Sequence, residues 1–206
     1  MSFISQLYEY RELYLIWTWR EVRVRYKQSL LGIAWAVLQP LSMMLIFTLV
    51  FTRIVQVPTG DVPYPLFSYA AVLPWTFFTT AISQGIPSLV NNMNLVTKVK
   101  MPREVLPISV VLAGLVDFAV AGLIFAGLLI YYRVDLTLTA LWALPLLLIQ
   151  IILTLGVVLA GSALLVLFRD VRFIIPLLTQ LWMYATPVIY PVDLVPERFR
   201  IIYYLK

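Results

Sequence analysis

One acidic side chain, Asp117, stands inside a long apolar run of this 206-residue sequence, and it is the first candidate for chemistry. An ionisable group at membrane depth is costly to hold, so by default it points to an ion or proton pathway or to a paired partner. The competing expectation is structural: an acid that caps or hydrogen-bonds a neighbouring helix. With a single carboxylate and no evident charged partner at that depth, the structural role is the one expected, and Asn in its place should leave most activity intact. A second candidate is a stripe. Trp35, Gln39, Ser42, Ile46, Leu49 and Arg53 follow at 4-3-4-3-4 spacing, so one side of a greasy helix carries an indole, an amide, a hydroxyl and a guanidinium. Further on, Gln180, Tyr184, Pro187 and Pro191 form one stripe, and Thr179, Met183, Thr186 and Tyr190 the next. Polar-aromatic faces suit sugars, because rings pack on C–H groups while amides and hydroxyls exchange hydrogen bonds. Ordinary helix packing and interfacial anchoring explain the same residues equally well.

Other chemistries find little support. The sequence has no cysteine and no histidine, which removes disulfides, thiolates, imidazole bases and His-ligated metals. The segment GVVLAG at 156–161 resembles the start of a phosphate loop, but Ser-Ala follows where Lys-Ser/Thr is needed, and the run is apolar throughout. No pair of carboxylates sits at helical spacing in an apolar run. The chain is therefore expected not to be an enzyme and to hold no metal.

The elements that must position these residues are membrane helices. Hydrophobic residues make up 62% of the sequence and charged ones 12%, with a mean hydropathy of +0.94. A soluble domain carries roughly 25% charged residues, so a polytopic, all-α membrane protein is expected. Residues 28–52 carry no charge, enough to cross the hydrocarbon core as a helix. Arg20, Arg23, Arg25 and Lys27 crowd the front of that run and Arg53 stands alone behind it, which places the N-terminus in the cytoplasm. The net charge of +5 follows these flanks, so it orients helices rather than binding nucleic acid. No signal-peptide pattern opens the chain, and the first helix is expected to stay in the mature protein.

Five spans are expected, at 33–53, 64–90, 105–130, 139–167 and 173–190, within a single domain 1–206. An amphipathic helix within 1–30, with Phe3, Leu7, Tyr10, Tyr14 and Trp17 on one face, is expected to lie in the cytoplasmic interface. Glu21 and Arg25 stand at i,i+4 and read as a local ion pair. Gly122 with Ala126, and Gly156 with Ala160, read as small-residue pairs for close helix packing. Thr76, Thr80, Ser83 and Pro87 share a face better set against a helix than against lipid. The segment 91–104, with Lys98, Lys100 and Arg103, is the longest polar interruption and belongs on the cytoplasmic side.

Three stretches carry a family resemblance: YKQSLLGIAWAVLQPLSMMLIFTLVFTRI at 26–54, FRDVRFIIPLLTQ at 168–180 and TPVIYPVDLVP at 186–196. In this order they resemble the membrane subunit of bacterial polysaccharide-exporting ABC transporters, which export lipid-linked O-antigen, capsule or teichoic acid. The resemblance implies a homodimer of permeases in the bacterial inner membrane, driven by two ATP-binding subunits that hold ATP and Mg, with no cofactor on this chain. It implies that Asn91, Asn94, Lys98, Lys100, Met101, Arg103 and Glu104 form a segment coupled to the ATPase, with Arg169 and Asp170 in a second cytoplasmic loop. Residues 192–206 would begin an external gate. The family continues into a sixth span, which is missing before Lys206, so a fragment or an incomplete subunit is expected. The substrate path is expected along Trp35, Gln39, Ser42, Arg53, Gln180, Tyr184, Thr186 and Tyr190. The rival readings are a small secondary carrier using Asp117, a membrane-embedded glycosyltransferase and an assembly factor.

Overall fold

The computed structural model describes residues 8–27, 29–54, 62–135 and 137–186. It is all helical there. Helix α1 spans Arg11–Tyr26, with Glu12 in its first turn and Arg23 and Arg25 in its last, the arrangement that complements the helix dipole. Helix α2 spans Ala34–Leu49 and continues into a π-helical turn, Val50–Ile54. Helix α3 spans Tyr64–Gly85 and starts on Pro63 and Pro65, whose fixed φ suits a first turn. It closes at Gly85 rather than continuing to 90, and Pro87 precedes a separate short helix, α4, Ser88–Asn91. Helix α5 spans Met93–Lys98, α6 Val105–Tyr131, α7 Ala143–Leu167 and α8 Val171–Ala185. A 3-10 turn, Leu138–Trp142, leads into α7.

Among the described residues four stretches are long and apolar enough to cross a membrane: Ala34–Arg53, Tyr64–Gly85, Val105–Tyr131 and Leu138–Leu167. The fifth helix, α8, is apolar but has 15 residues, about 22 Å, against a core of about 30 Å. The expected end of that span at 190, with Tyr190, Pro187, Pro191 and the gate region, lies outside the described residues. So do Phe3 and Leu7.

Helix α3 is the centre. Its Phe77, Phe78, Ala81 and Ile82 pack with Ile86, with Val111 of α6 and with Val158 and Leu165 of α7. On another side Tyr69 and Leu73 meet Met44 of α2 and Ala121 of α6. Polar ties also hold α3 to its neighbours: Tyr69 donates to the Ala121 carbonyl at 3.1 Å, and Gln150 Nε2 to the Pro74 carbonyl at 2.6 Å. The closest backbone approaches use glycines that the small-residue pattern did not select. A Cβ on Gly85 would stand 2.6 Å from Val158 Cγ1, and one on Gly161 2.5 Å from Ile86 Cδ1. Gly122 and Gly156 have nothing within 4 Å. Ala126 and Ala160 are exposed. Those two pairs lie on faces that the described residues leave open.

Helix α1 also departs from expectation. Its Tyr10, Leu13, Tyr14 and Trp17 pack on Val105 and Ile108 of α6, so the stripe read from the sequence meets protein. Tyr8 just before the helix, and Leu15, Ile16, Trp19 and Val24 within it, are the large apolar residues left exposed there. Since Tyr14 sits beside Val105 and Arg25 beside Asp117, α1 runs alongside α6 in the same direction for about three turns.

Candidate functional site

A cavity of about 300 Å³ opens between α1, α2, α3 and α6. Each helix brings polar groups to it: Arg25 and Tyr26, Trp35 and Gln39, Thr76, Thr80 and Gln84, and Asp117. Phe77, Phe118, Leu73 and Pro40 supply apolar wall. The periodicity explains this convergence, because Trp35 and Gln39 are one turn apart, as are Thr76, Thr80 and Gln84. Thr76 Oγ1 is buried with no hydrogen-bond partner among the described residues.

Asp117 is not the lone carboxylate that its span suggested. Arg25 Nη1 donates to Asp117 Oδ2, and the Tyr26 hydroxyl donates to Oδ1 at 2.6 Å. Both charged side chains are mostly shielded, with relative exposures of 15% for Arg25 and 16% for Asp117. The local pair read between Glu21 and Arg25 does not form: Glu21 meets Arg20 at 3.3 Å, and Arg25 turns to the third span. The reason is solvation. A carboxylate in an apolar setting gains more from a cation than Glu21 does, which is half-buried on α1 and already beside Arg20. Burial, and then the bond to Asp117, hold the Tyr26 phenol well above its ordinary pKa, so it remains a donor. Burial first, and Glu104 second, also raise Tyr14.

A second groove of about 330 Å³ adjoins the first along α3 and is lined by Gln39, Thr76, Thr79, Thr80, Ser83, Thr179 and Gln180. The two glutamines expected on the path, Gln39 and Gln180, therefore share a groove, and Gln39, Thr76 and Thr80 also line the first cavity. Thr79 and Thr179 spend their hydroxyls on the carbonyls of Trp75 and Ile175, each at 3.0 Å. The other expected path residues are dispersed. Ser42 donates to the Leu38 carbonyl of its own helix at 2.6 Å. Arg53 stands exposed on the π turn, whose i→i+5 bonding breaks the 3.6-residue spacing that had aligned it with Trp35. Thr186 borders an apolar pocket with Trp182 and Phe78, and Tyr184 is exposed. Sequence reasoning missed Arg25, Tyr26 and Gln84. An acid deep in an apolar run was the available signal that a basic residue elsewhere must reach it.

The basic end of the bundle is exposed and locally well braced. Ser88 donates to the Gly85 carbonyl at 2.6 Å and Asn92 Nδ2 to the Ser88 carbonyl at 2.9 Å, which fixes the turn from α3 into α4 and α5. Beyond it Asn91, Asn94, Lys98, Lys100, Arg103 and Glu104 are exposed and Met101 is half-buried. Arg103 and Glu104 border an apolar groove of about 730 Å³ between α5 and the end of α7. Arg169 and Asp170, the turn into α8, are exposed as well.

What this arrangement can do is bind and release polar groups on a helical membrane scaffold. Among the described residues it sets no nucleophile against a base. Residues 12–206 match the ABC-2 type transporter family, and the chain belongs to it. Over 195 residues it is 33% identical to the O-antigen export system permease protein RfbA of Myxococcus xanthus, covering 94% of this chain and 74% of that protein. It is 31% identical to the protein of the same name from Klebsiella pneumoniae, covering 91% and 72%. The polysialic acid transport protein KpsM of Escherichia coli is 23% identical, covering 87% and 70%.

Proposed function

We propose that this chain is the permease subunit of an ATP-driven exporter that moves a lipid-linked polysaccharide, of the O-antigen, capsule or teichoic acid kind, across the bacterial inner membrane. The observation that carries the reading is the family membership, with relatives named for O-antigen export and polysialic acid transport. On this reading the N-terminus is cytoplasmic, two permeases form a dimer, and two ATP-binding subunits hold ATP and Mg. The exposed, basic residues 91–104 and the Arg169–Asp170 turn are the surface offered to those subunits. Closure of the ATPase pair pushes on α4 and α5, which Ser88 and Asn92 tie rigidly to the end of α3. Polymer then passes along the polar faces that carry Gln39 and Gln180. A sliding chain needs many weak contacts, and amides beside aromatic rings provide them. The engagement of Asp117 by Arg25 and Tyr26 favours power supplied from another chain over a carrier that relays protons through a free carboxylate.

Cysteine labelling tests this, since the sequence has no native cysteine. In intact cells an impermeant thiol reagent should label Asp135→Cys and spare Thr97→Cys; the reverse pattern would invert the orientation. With polymer stalled in the transporter, Gln39→Cys and Gln180→Cys should react several-fold more slowly than without it. Equal rates at both positions, with Ile124→Cys as the outward control, would remove them from the path.

A further inference from the structure

We propose that Asp117 is a positioning residue for export, which acts through Arg25 and Tyr26 to fix where the first span begins and so to hold one wall of the 300 Å³ cavity. The inference rests on the export reading. Its premise is a contrast in how α2 is held. Among the residues of that helix only Pro40 and Met44 are buried, so its seat on α3 and α6 rests on few fully buried contacts. The end of α1, by contrast, is clamped to the third span by an ion pair and a phenol hydrogen bond to one carboxylate. A bidentate clamp on two donors in adjacent residues restrains rotation as well as distance.

The described residues at the two ends of the connection are held by backbone hydrogen bonds. Ser29 N–H donates to the Tyr26 carbonyl at 3.2 Å, and Ala34 N–H to the Leu31 carbonyl at 3.0 Å. Gly32 takes φ +53°, the left-handed conformation that glycine adopts without strain, and it turns the chain into α2. Displacing Tyr26 therefore displaces Trp35 and Gln39, one and two turns into the span. Those residues face Asp117, Thr76 and Thr80 across the cavity. Arg25 and Asp117 spend their charges on one another, so the wall they form is neutral overall. Losing either partner leaves an uncompensated charge beside the cavity, which draws water or a counter-ion and moves α1.

The test uses the complete permease in the assembled transporter, and it reads export of surface polysaccharide together with thiol reactivity in membranes. Against the near-normal activity expected of Asp117→Asn for an acid without a charged partner, Asp117→Asn and Arg25→Gln should each lower export about tenfold, the scale of one charge-assisted hydrogen bond, while membrane insertion persists. Tyr26→Phe should lower it less. The exchanged pair, Arg25→Asp with Asp117→Arg, should recover a substantial part of the loss. In the Asp117→Asn background, Thr80→Cys and Gln84→Cys in the cavity should change their alkylation rates several-fold, with Ile124→Cys unchanged. Full export from both single variants would overturn the proposal. So would failure of the exchanged pair combined with normal export from Arg25→Gln, which assigns proton chemistry to Asp117. Unmoved cavity thiol rates would overturn it too, even where the single variants export poorly. None of these outcomes depends on whether Gln39 and Gln180 are protected by polymer, so the path reading stands or falls separately.

Discussion

The second and third spans differ from the first and fourth in what surrounds them. In its most apolar window the chain itself buries 50% of Tyr64–Gly85 and 39% of Val105–Tyr131, against 11% for each of Ala34–Arg53 and Leu138–Leu167. The outer spans are no less apolar. Leu45, Ile46 and Leu49 of the first, and Leu144, Leu146, Leu148 and Ile152 of the fourth, are all exposed. Continuous apolar surface of that extent is not left to water. The inner pair thus specifies the fold, and the outer pair presents its surface to lipid or to another subunit. Substitutions in the two regions should therefore fail in different ways.

The largest effect should come from Gly85. Its added Cβ meets Val158 Cγ1, a β-branched side chain with little rotamer freedom on a helix, so Gly85→Leu should destabilise by about 1–3 kcal/mol. Folded protein recovered from membranes should fall sharply in a thermal-aggregation assay. Gly161→Ala should lower the melting temperature as well, because Cδ1 and Cγ1 of the buried Ile86 stand 2.5 and 2.8 Å from the added Cβ. If Gly85→Ala and Gly161→Ala both melt with the parent, the inner contact is looser than the structure shows. A middle effect belongs to Gln150. Gln150→Leu removes the bond to the Pro74 carbonyl, and interhelical hydrogen bonds in membranes average about 0.6 kcal/mol. The melting shift should be small but measurable, and absent from Gln150→Glu if the protonated acid replaces the amide as donor. The smallest effect belongs to the outer faces. Gly122→Ala and Gly156→Ala meet nothing within 4 Å and raise helix propensity, so stability should hold or rise by up to about 1 kcal/mol. A loss of export with unchanged melting in either variant would place another chain on that face.

How much of this was legible beforehand depended on whether a feature is local. Runs of apolar residues between basic clusters sufficed for the helices, because the requirement for internal backbone bonding acts on each segment alone. The register of Trp35 and Gln39 followed from 3.6 residues per turn. It failed at Arg53, where the chain changes to a π turn. Close packing failed for a different reason. Gly122–Ala126 and Gly85–Gly161 look alike as small residues, and which glycine meets a partner depends on how two helices are rotated against each other. The partner of Asp117 failed most instructively. Arg25 lies 92 residues away and had a plausible neighbour in Glu21, and only the packing of α1 along α6 makes the distant choice.

That separation also sets an order in time. During synthesis at about 5–20 residues per second, Arg25 leaves the ribosome roughly 5–18 s before Asp117. The cation is thus in place first. When the third span arrives, its acid, which taken alone resists transfer into hydrocarbon by about 2.5–3.5 kcal/mol, meets a chain that already carries its guanidinium partner. The N-terminal helix would then serve as a docking post for a segment made much later.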